Sequence, residues 1–183
     1  MRMDLFSRLI TRKFRDINEG RYEEIIRHYR EFLLLPEELV LPEISSILLA
    51  VDRFSRDIPE ELYDTLGAYA GASVQIVYVA DSTVFRMIEQ SLGKTEAERL
   101  KRTEAELGER VLSRTLEKLR EIGLRASGRY FFGNKSDDVI NIARDFDLLV
   151  ISRSYGSELG KTPSVSPVVL KIVQHVEKPA IIY

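Results

Sequence analysis

Hydrophobic positions follow one rhythm in the first 42 residues and another in the remainder. Leu5, Phe6, Leu9, Ile10, Phe14 and Ile17 recur at spacings near 3.6, with Arg2, Arg8, Arg12, Lys13 and Arg15 on the polar positions, which predicts an amphipathic helix. Tyr22, Ile25, Ile26, Tyr29, Phe32 and Leu33 repeat the pattern from about Arg21 to Leu35, with Gly20 separating the two helices and Pro36 ending the second. Pro42 closes the connector. The expected organisation is a helical extension over 1–42 and one domain over 43–183.

From Ile44 onward, short apolar runs alternate with helical periods. Ile47 to Val51 suits a strand buried on both faces, Asp52 to Asp57 a polar turn, and Pro59 the first position of a helix ending near Gly71. Val74 to Ala80 predicts a second strand, while Asp81 to Leu92 carries no clear assignment. A long helix follows over Thr95 to Ile122, with Thr95 and Glu98 spaced as a capping box and Gly123 as its stop. Gly128 to Phe132 predicts the third strand, a helix capped by Ser136 follows, and Leu148 to Ile151 is the fourth strand. After a loop rich in Gly, Ser and Thr, Ser166 caps a helix with Pro167 at its first position, and Pro179 to Tyr183 forms the last strand. Such alternation implies parallel strands joined by right-handed crossovers, with helices on both faces.

Composition narrows the possible partners. The 27 basic and 29 acidic residues among 183 give no global field to attract nucleic acid. With no cysteine, disulfides and thiolate chemistry are excluded. The start of the chain lacks the apolar stretch of a signal peptide, and no run approaches the roughly 20 residues that span a bilayer, so the expected location is cytoplasmic. His28 and His175 lack metal-ligand spacing, and no metal site is expected. Asp137 and Asp138 read as helix N-terminal charges, and no Gly-x-Ser-x-Gly elbow is present.

Three stretches carry a family likeness. The strand from Ile47 to Asp52, which ends in an aspartate, resembles the opening strand of universal stress proteins. The segment from Gly133 to Ala143 followed by Asp147 to Ile151 is similar to their third loop, third helix and fourth strand. Val169 to His175 and Lys178 to Ile182 resemble their last helix, proline and last strand. The resemblance implies a three-layer α/β sandwich on a five-stranded parallel sheet of order 3-2-1-4-5. Independently, a reversal of strand order between the first and fourth strands opens a ligand crevice at their carboxyl ends.

The resemblance also implies an adenine nucleotide, ATP or AMP, with magnesium only as its companion. Asp52 and Val79 match the positions facing its adenine and ribose side, and Ile151 lies where the purine would rest. Nucleotide-binding members carry Gly-x-x-Gly, nine residues, then Gly-Ser or Gly-Thr. Here, counting back from Pro179 sets Ser166 and Pro167 on the last pair, Gly156 on the second glycine and Arg153 on the first, whereas counting forward sets Ser152 on the first. Gly156 and Gly160 can still open the backbone, Lys161 can supply a charge, and Ser164 and Ser166 can donate to phosphate. The alternative is a hydroxyl-rich surface loop whose Ser166 merely caps a helix. Gly156 to Thr162 mimics a phosphate-binding Walker loop but is one residue short, with Tyr155 at the first-glycine position and Pro163 where the helix should continue.

Two functions compete on this reading. One is a stress-response regulator that binds nucleotide without efficient catalysis and is not an enzyme. The other is a stress protein that binds no nucleotide and recruits another protein through its N-terminal helices or dimer surface. A homodimer is expected along the last strand, whose Ile181 and Ile182 would form an apolar edge. The apolar faces of the two N-terminal helices are expected to dock on this domain or across a homodimer, because such faces usually bury in protein; the alternative is that the first helix, with its five bases, lies on a membrane or a regulatory partner.

Overall fold

The computed structural model describes residues 43–157 and 164–183. The two helices expected before Pro42 lie outside the described residues. Five strands form one parallel sheet: β1 (Ser46–Val51), β2 (Ser73–Asp81), β3 (Arg125–Gly133), β4 (Leu148–Ile151) and β5 (Ala180–Ile182). Their order is β3-β2-β1-β4-β5, as the resemblance to universal stress proteins implies. In the central register Ile47 lies opposite Val74 on one side and Leu148 on the other.

The period-2 alternation of the strands sorts their side chains into two layers. Ile47, Leu49, Val51, Ile76 and Tyr78 face one way, against α1 (Glu60–Gly67), α2 (Ser82–Leu92) and α3 (Lys94–Glu121). Leu48, Ala50, Val77, Val79, Leu149 and Ile151 face the other, against α4 (Lys135–Ala143) and α5 (Pro167–His175). Each fully buried Leu, Ile or Val contributes about 1.5–3 kcal/mol, which makes the centre of the sheet the main source of stability. No helix among the described residues is long and apolar enough to cross a membrane.

Helix ends depart from the sequence expectations at four places. The unassigned segment after β2 is α2, started by Asp81, whose Oδ1 accepts from the N–H of Thr83 (2.9 Å) and Val84 (3.3 Å). Its period was masked by Val84, Met87 and Leu92, which stay exposed. The Thr95–Glu98 capping box does not form, because Gly93 (φ +86°) ends α2 and starts α3, leaving Thr95 inside the helix. Asn134, and not Ser136, caps α4, accepting from Ser136 N–H and Asp137 N–H at 3.0 Å each. Pro59 is the N-cap of α1 and not its first residue, and the helix ends at Gly67, so Gly71 (φ +91°) turns the chain into β2 and caps nothing. Elsewhere the local rules hold. At Gly123 the N–H of Leu124 donates to Leu119 and that of Gly123 to Arg120, and Leu124 and Leu119 are both buried, which is a Schellman stop.

At the amino ends of β1 and β4, a carboxylate fastens the two central strands. Asp147 Oδ2 accepts from the N–H and Oγ of Ser45 and of Ser46 at 2.8–3.0 Å. Those hydrogen bonds hold the Asp147 carboxyl down at about 2. A depressed folded pKa makes this contribution complete above the ordinary aspartate value near 3.9, and it fades as pH falls toward 2. In urea titrations, Asp147→Asn should lower stability at pH 6 and flatten the loss of stability between pH 4 and pH 2. Parallel pH profiles for the two proteins would refute the assignment.

Candidate functional site

β1 delivers Asp52 to its carboxyl end, where the strand order reverses and the loops after β1 and β4 part. Asp52 is completely buried. A buried carboxylate is tolerated only when its lone pairs are satisfied, and this one accepts five hydrogen bonds. Oδ1 takes the N–H of Phe54 and Ser55 at 3.0 Å and the hydroxyl of Ser55 at 2.8 Å. Oδ2 takes the ammonium of Lys135 at 2.6 Å and the N–H of Gly156 at 2.8 Å. One side chain therefore ties the loop after β1 to the start of α4 and to the loop after β4. Ser154 Oγ adds a second tie between the loops, donating to the Phe54 carbonyl at 2.9 Å.

Lys135 is the main residue missed in the sequence. It lies 83 positions from Asp52, and its side chain is only 8% exposed. The ammonium sits over the rings of Phe54 (4.9 Å) and Tyr155 (5.8 Å), which supplies cation–π attraction in addition to the ion pair. No local signal exposes it: α3 also begins with a lysine, Lys94, which stays exposed, and only the fold buries Lys135 against Asp52. Tyr155 is fully buried and donates its hydroxyl to the Lys135 carbonyl at 3.2 Å. Burial, and next the negative charge of Asp52, push its phenol well up, so it stays a donor.

Of the residues predicted from sequence, Asp52, Ser152, Gly156 and Ser166 converge here. Ser152 is buried, and its Oγ lies 2.9 Å from that of Ser154. Gly156 has φ +83°, and a Cβ there would lie 2.6 Å from Val168 Cβ, so only glycine brings this N–H to Asp52. Ser166 is fully buried, accepts from Val169 N–H at 3.1 Å as the cap of α5, and donates to the Tyr155 carbonyl. Val79 and Ile151 are fully buried in the layer under α4 and α5, and neither lines the cavity described next. Ser164 is exposed. Gly160 and Lys161 lie outside the described residues.

A cavity of about 280 Å³ opens beside the Asp52–Lys135 pair. Phe54, Phe85, Ile88, Leu100 and Leu107 give it apolar walls, and Glu104, Asp81, Lys135, Arg53 and Gly156 bring charge and a backbone donor to it. A second groove of about 400 Å³, lined by Ile140, Arg144, His175 and Lys178, lies at the carboxyl ends of α4 and α5. In a parallel α/β sheet that is the amino end of the strands, away from the crevice. Among the described residues no three His, Asp or Glu side chains converge as a metal site would need.

No protein-family profile matches the chain, and no curated protein does. Solved structures do. A universal stress protein from Lactobacillus plantarum is 15% identical over 76% of this chain and 97% of its own, with a TM-score of 0.61. A member of the universal stress protein family from Burkholderia pseudomallei is 20% identical over 78% and 98%, with a TM-score of 0.57. The universal stress protein from Archaeoglobus fulgidus in complex with dAMP is 21% identical over 75% and 95%, with a TM-score of 0.50. The described domain thus has the universal stress protein fold.

Removing one member of a buried ion pair costs about 3–5 kcal/mol, because the other is left charged and unpaired. Asp52→Asn should therefore destabilise the protein by about 3 kcal/mol, a fall of very roughly 6–12 °C in melting temperature for a chain of this size. Calorimetry of the two proteins tests this, and equal melting temperatures would show that the pair does not hold the loops.

Proposed function

We propose that this protein is a stress-response regulator that binds an adenine nucleotide at the carboxyl ends of β1 and β4 and does not turn it over efficiently. The observation that carries this reading is the buried Asp52 carboxylate with Lys135 and the Gly156 N–H drawn onto it, beside an open cavity. In the free protein Asp52 acts as an internal anion that keeps the Lys135 ammonium at the crevice and occupies the one N–H of Gly156. The ammonium carries three N–H donors, and the bond to Asp52 uses one. A phosphate at the mouth gives Lys135 a further acceptor without breaking the pair, and Arg53 lines the same cavity.

One observation supports the reading without efficient turnover: a general base needs a free lone pair within reach of a water, and Asp52 has five donors on its two oxygens. The dAMP complex of the Archaeoglobus fulgidus stress protein supports the choice of an adenine nucleotide for this fold. With Ser152 or Arg153 in place of the family glycine the backbone is less free there, and the Arg153 N–H is held by the Tyr183 carbonyl at 2.8 Å, so a monophosphate suits the site at least as well as a triphosphate.

Isothermal titration with AMP, ADP and ATP should give saturable heat, with a matching rise in melting temperature and no phosphate release over hours. A ligand at one hundred times its Kd adds about 2.7 kcal/mol of stability. Lys135→Met should weaken binding at least tenfold. Neither heat nor a melting shift at millimolar concentrations of all three nucleotides would end the proposal.

A further inference from the structure

The buried face of α3 is a stripe of Ala97, Gly108, Val111, Leu112, Thr115 and Leu119, and Glu104 occupies a place in it. A carboxylate in an apolar stripe loses several kcal/mol of hydration unless it is compensated. Glu104 is only 7% exposed, and its compensation is incomplete. Oε1 accepts the Tyr78 hydroxyl at 2.8 Å. Oε2 has Arg53 3.6 Å away, beyond hydrogen-bond distance, on a side chain that is 56% exposed.

The donor on Oε1 is rigidly held. Tyr78 stacks on Tyr130 with ring centroids 5.6 Å apart, and Gly108 of α3 packs so closely that a Cβ would lie 2.5 Å from the Tyr130 ring. Burial first, then the charge of Glu104, push the Tyr78 phenol well up and that of Tyr130 up to about 12. Tyr78 therefore stays a donor at neutral pH and fixes one oxygen of the carboxylate. The other belongs to a residue lining the 280 Å³ cavity, among Phe54, Phe85, Leu100 and Leu107.

An apolar slot with one underused carboxylate oxygen selects a flat ligand that carries an N–H donor. We infer that Glu104 is a specificity-determining residue that accepts a hydrogen bond from the exocyclic amino group of a purine seated in this cavity. Resting on the proposed nucleotide function, this sets the base between Phe54 and the α2–α3 wall, with Lys135 left for the phosphate. A 6-oxo purine would set a carbonyl oxygen against Oε2, acceptor facing acceptor, and would bind more weakly than the amino purine.

The test compares AMP with IMP, and adenosine with inosine, by calorimetry on the full chain and on Glu104→Gln, with a thermal melt of each protein. Wild type should prefer the amino purine at least tenfold. Glu104→Gln, whose amide can donate to a carbonyl as well as accept, should bring the ratio near one while AMP still binds. If AMP binds and the preference is the same in both proteins, the inference fails and the nucleotide function stands. If adenosine binds with a preference that depends on Glu104 while AMP does not bind, the inference stands and the nucleotide function fails. If no purine binds the wild type, both fall. Should Glu104→Gln melt well below wild type, Tyr78→Phe serves as the second variant: loss of its hydroxyl frees Oε1 without removing the carboxylate, and the amino preference should persist. Its disappearance would overturn the inference.

Discussion

A single carboxylate organises the functional end of this domain. Asp52 sits where the central strand stops, out of contact with water, and its charge is stable only because three separate segments turn donors onto it. The loop after β1 curls back to offer Phe54 N–H and Ser55, α4 begins with a lysine, and the loop after β4 brings the Gly156 N–H. The buried lysine at the start of α4 and the glycine at φ +83° are both accounted for by the same anion, which takes the ammonium of one and the N–H of the other.

This constraint explains how the crevice differs from the glycine-rich loop that the sequence resembles. In that pattern backbone N–H groups are free to meet phosphates. Here Tyr155 fills the space beneath the loop, its hydroxyl reaches the Lys135 carbonyl, and Ser166 bonds the Tyr155 carbonyl. The interior is thus closed by aromatic packing and an ion pair, and the open volume lies toward α2 and α3.

The sheet makes the arrangement possible by physical separation of tasks. Alternating side chains commit the strands to two dry layers, so polar chemistry is left to the strand ends. Asp147 fastens the amino ends of β1 and β4, and Asp52 gathers the loops at the carboxyl ends. Between them Ile47 to Val51 form an apolar rod that is entirely out of water.

Much of this was legible in the chain. Runs such as Ile47 to Val51 and Leu148 to Ile151 declared buried strands, Gly123 and Ser166 declared helix boundaries, and the alternation declared parallel pairing, because burial and capping are encoded over a few neighbouring residues. Asp52, Ser152, Gly156 and Ser166 could be placed at one crevice from the resemblance to universal stress proteins and the strand order it implies. What sequence could not supply was the partner of each group. Lys135 reads as an ordinary lysine until the fold brings it across 83 positions to Asp52, and Glu104 as one more charge on a polar helix until Tyr78 is set beneath it. Periodicity records which side of an element is dry, whereas the pairing of charges across that dry interior is decided only when the elements pack.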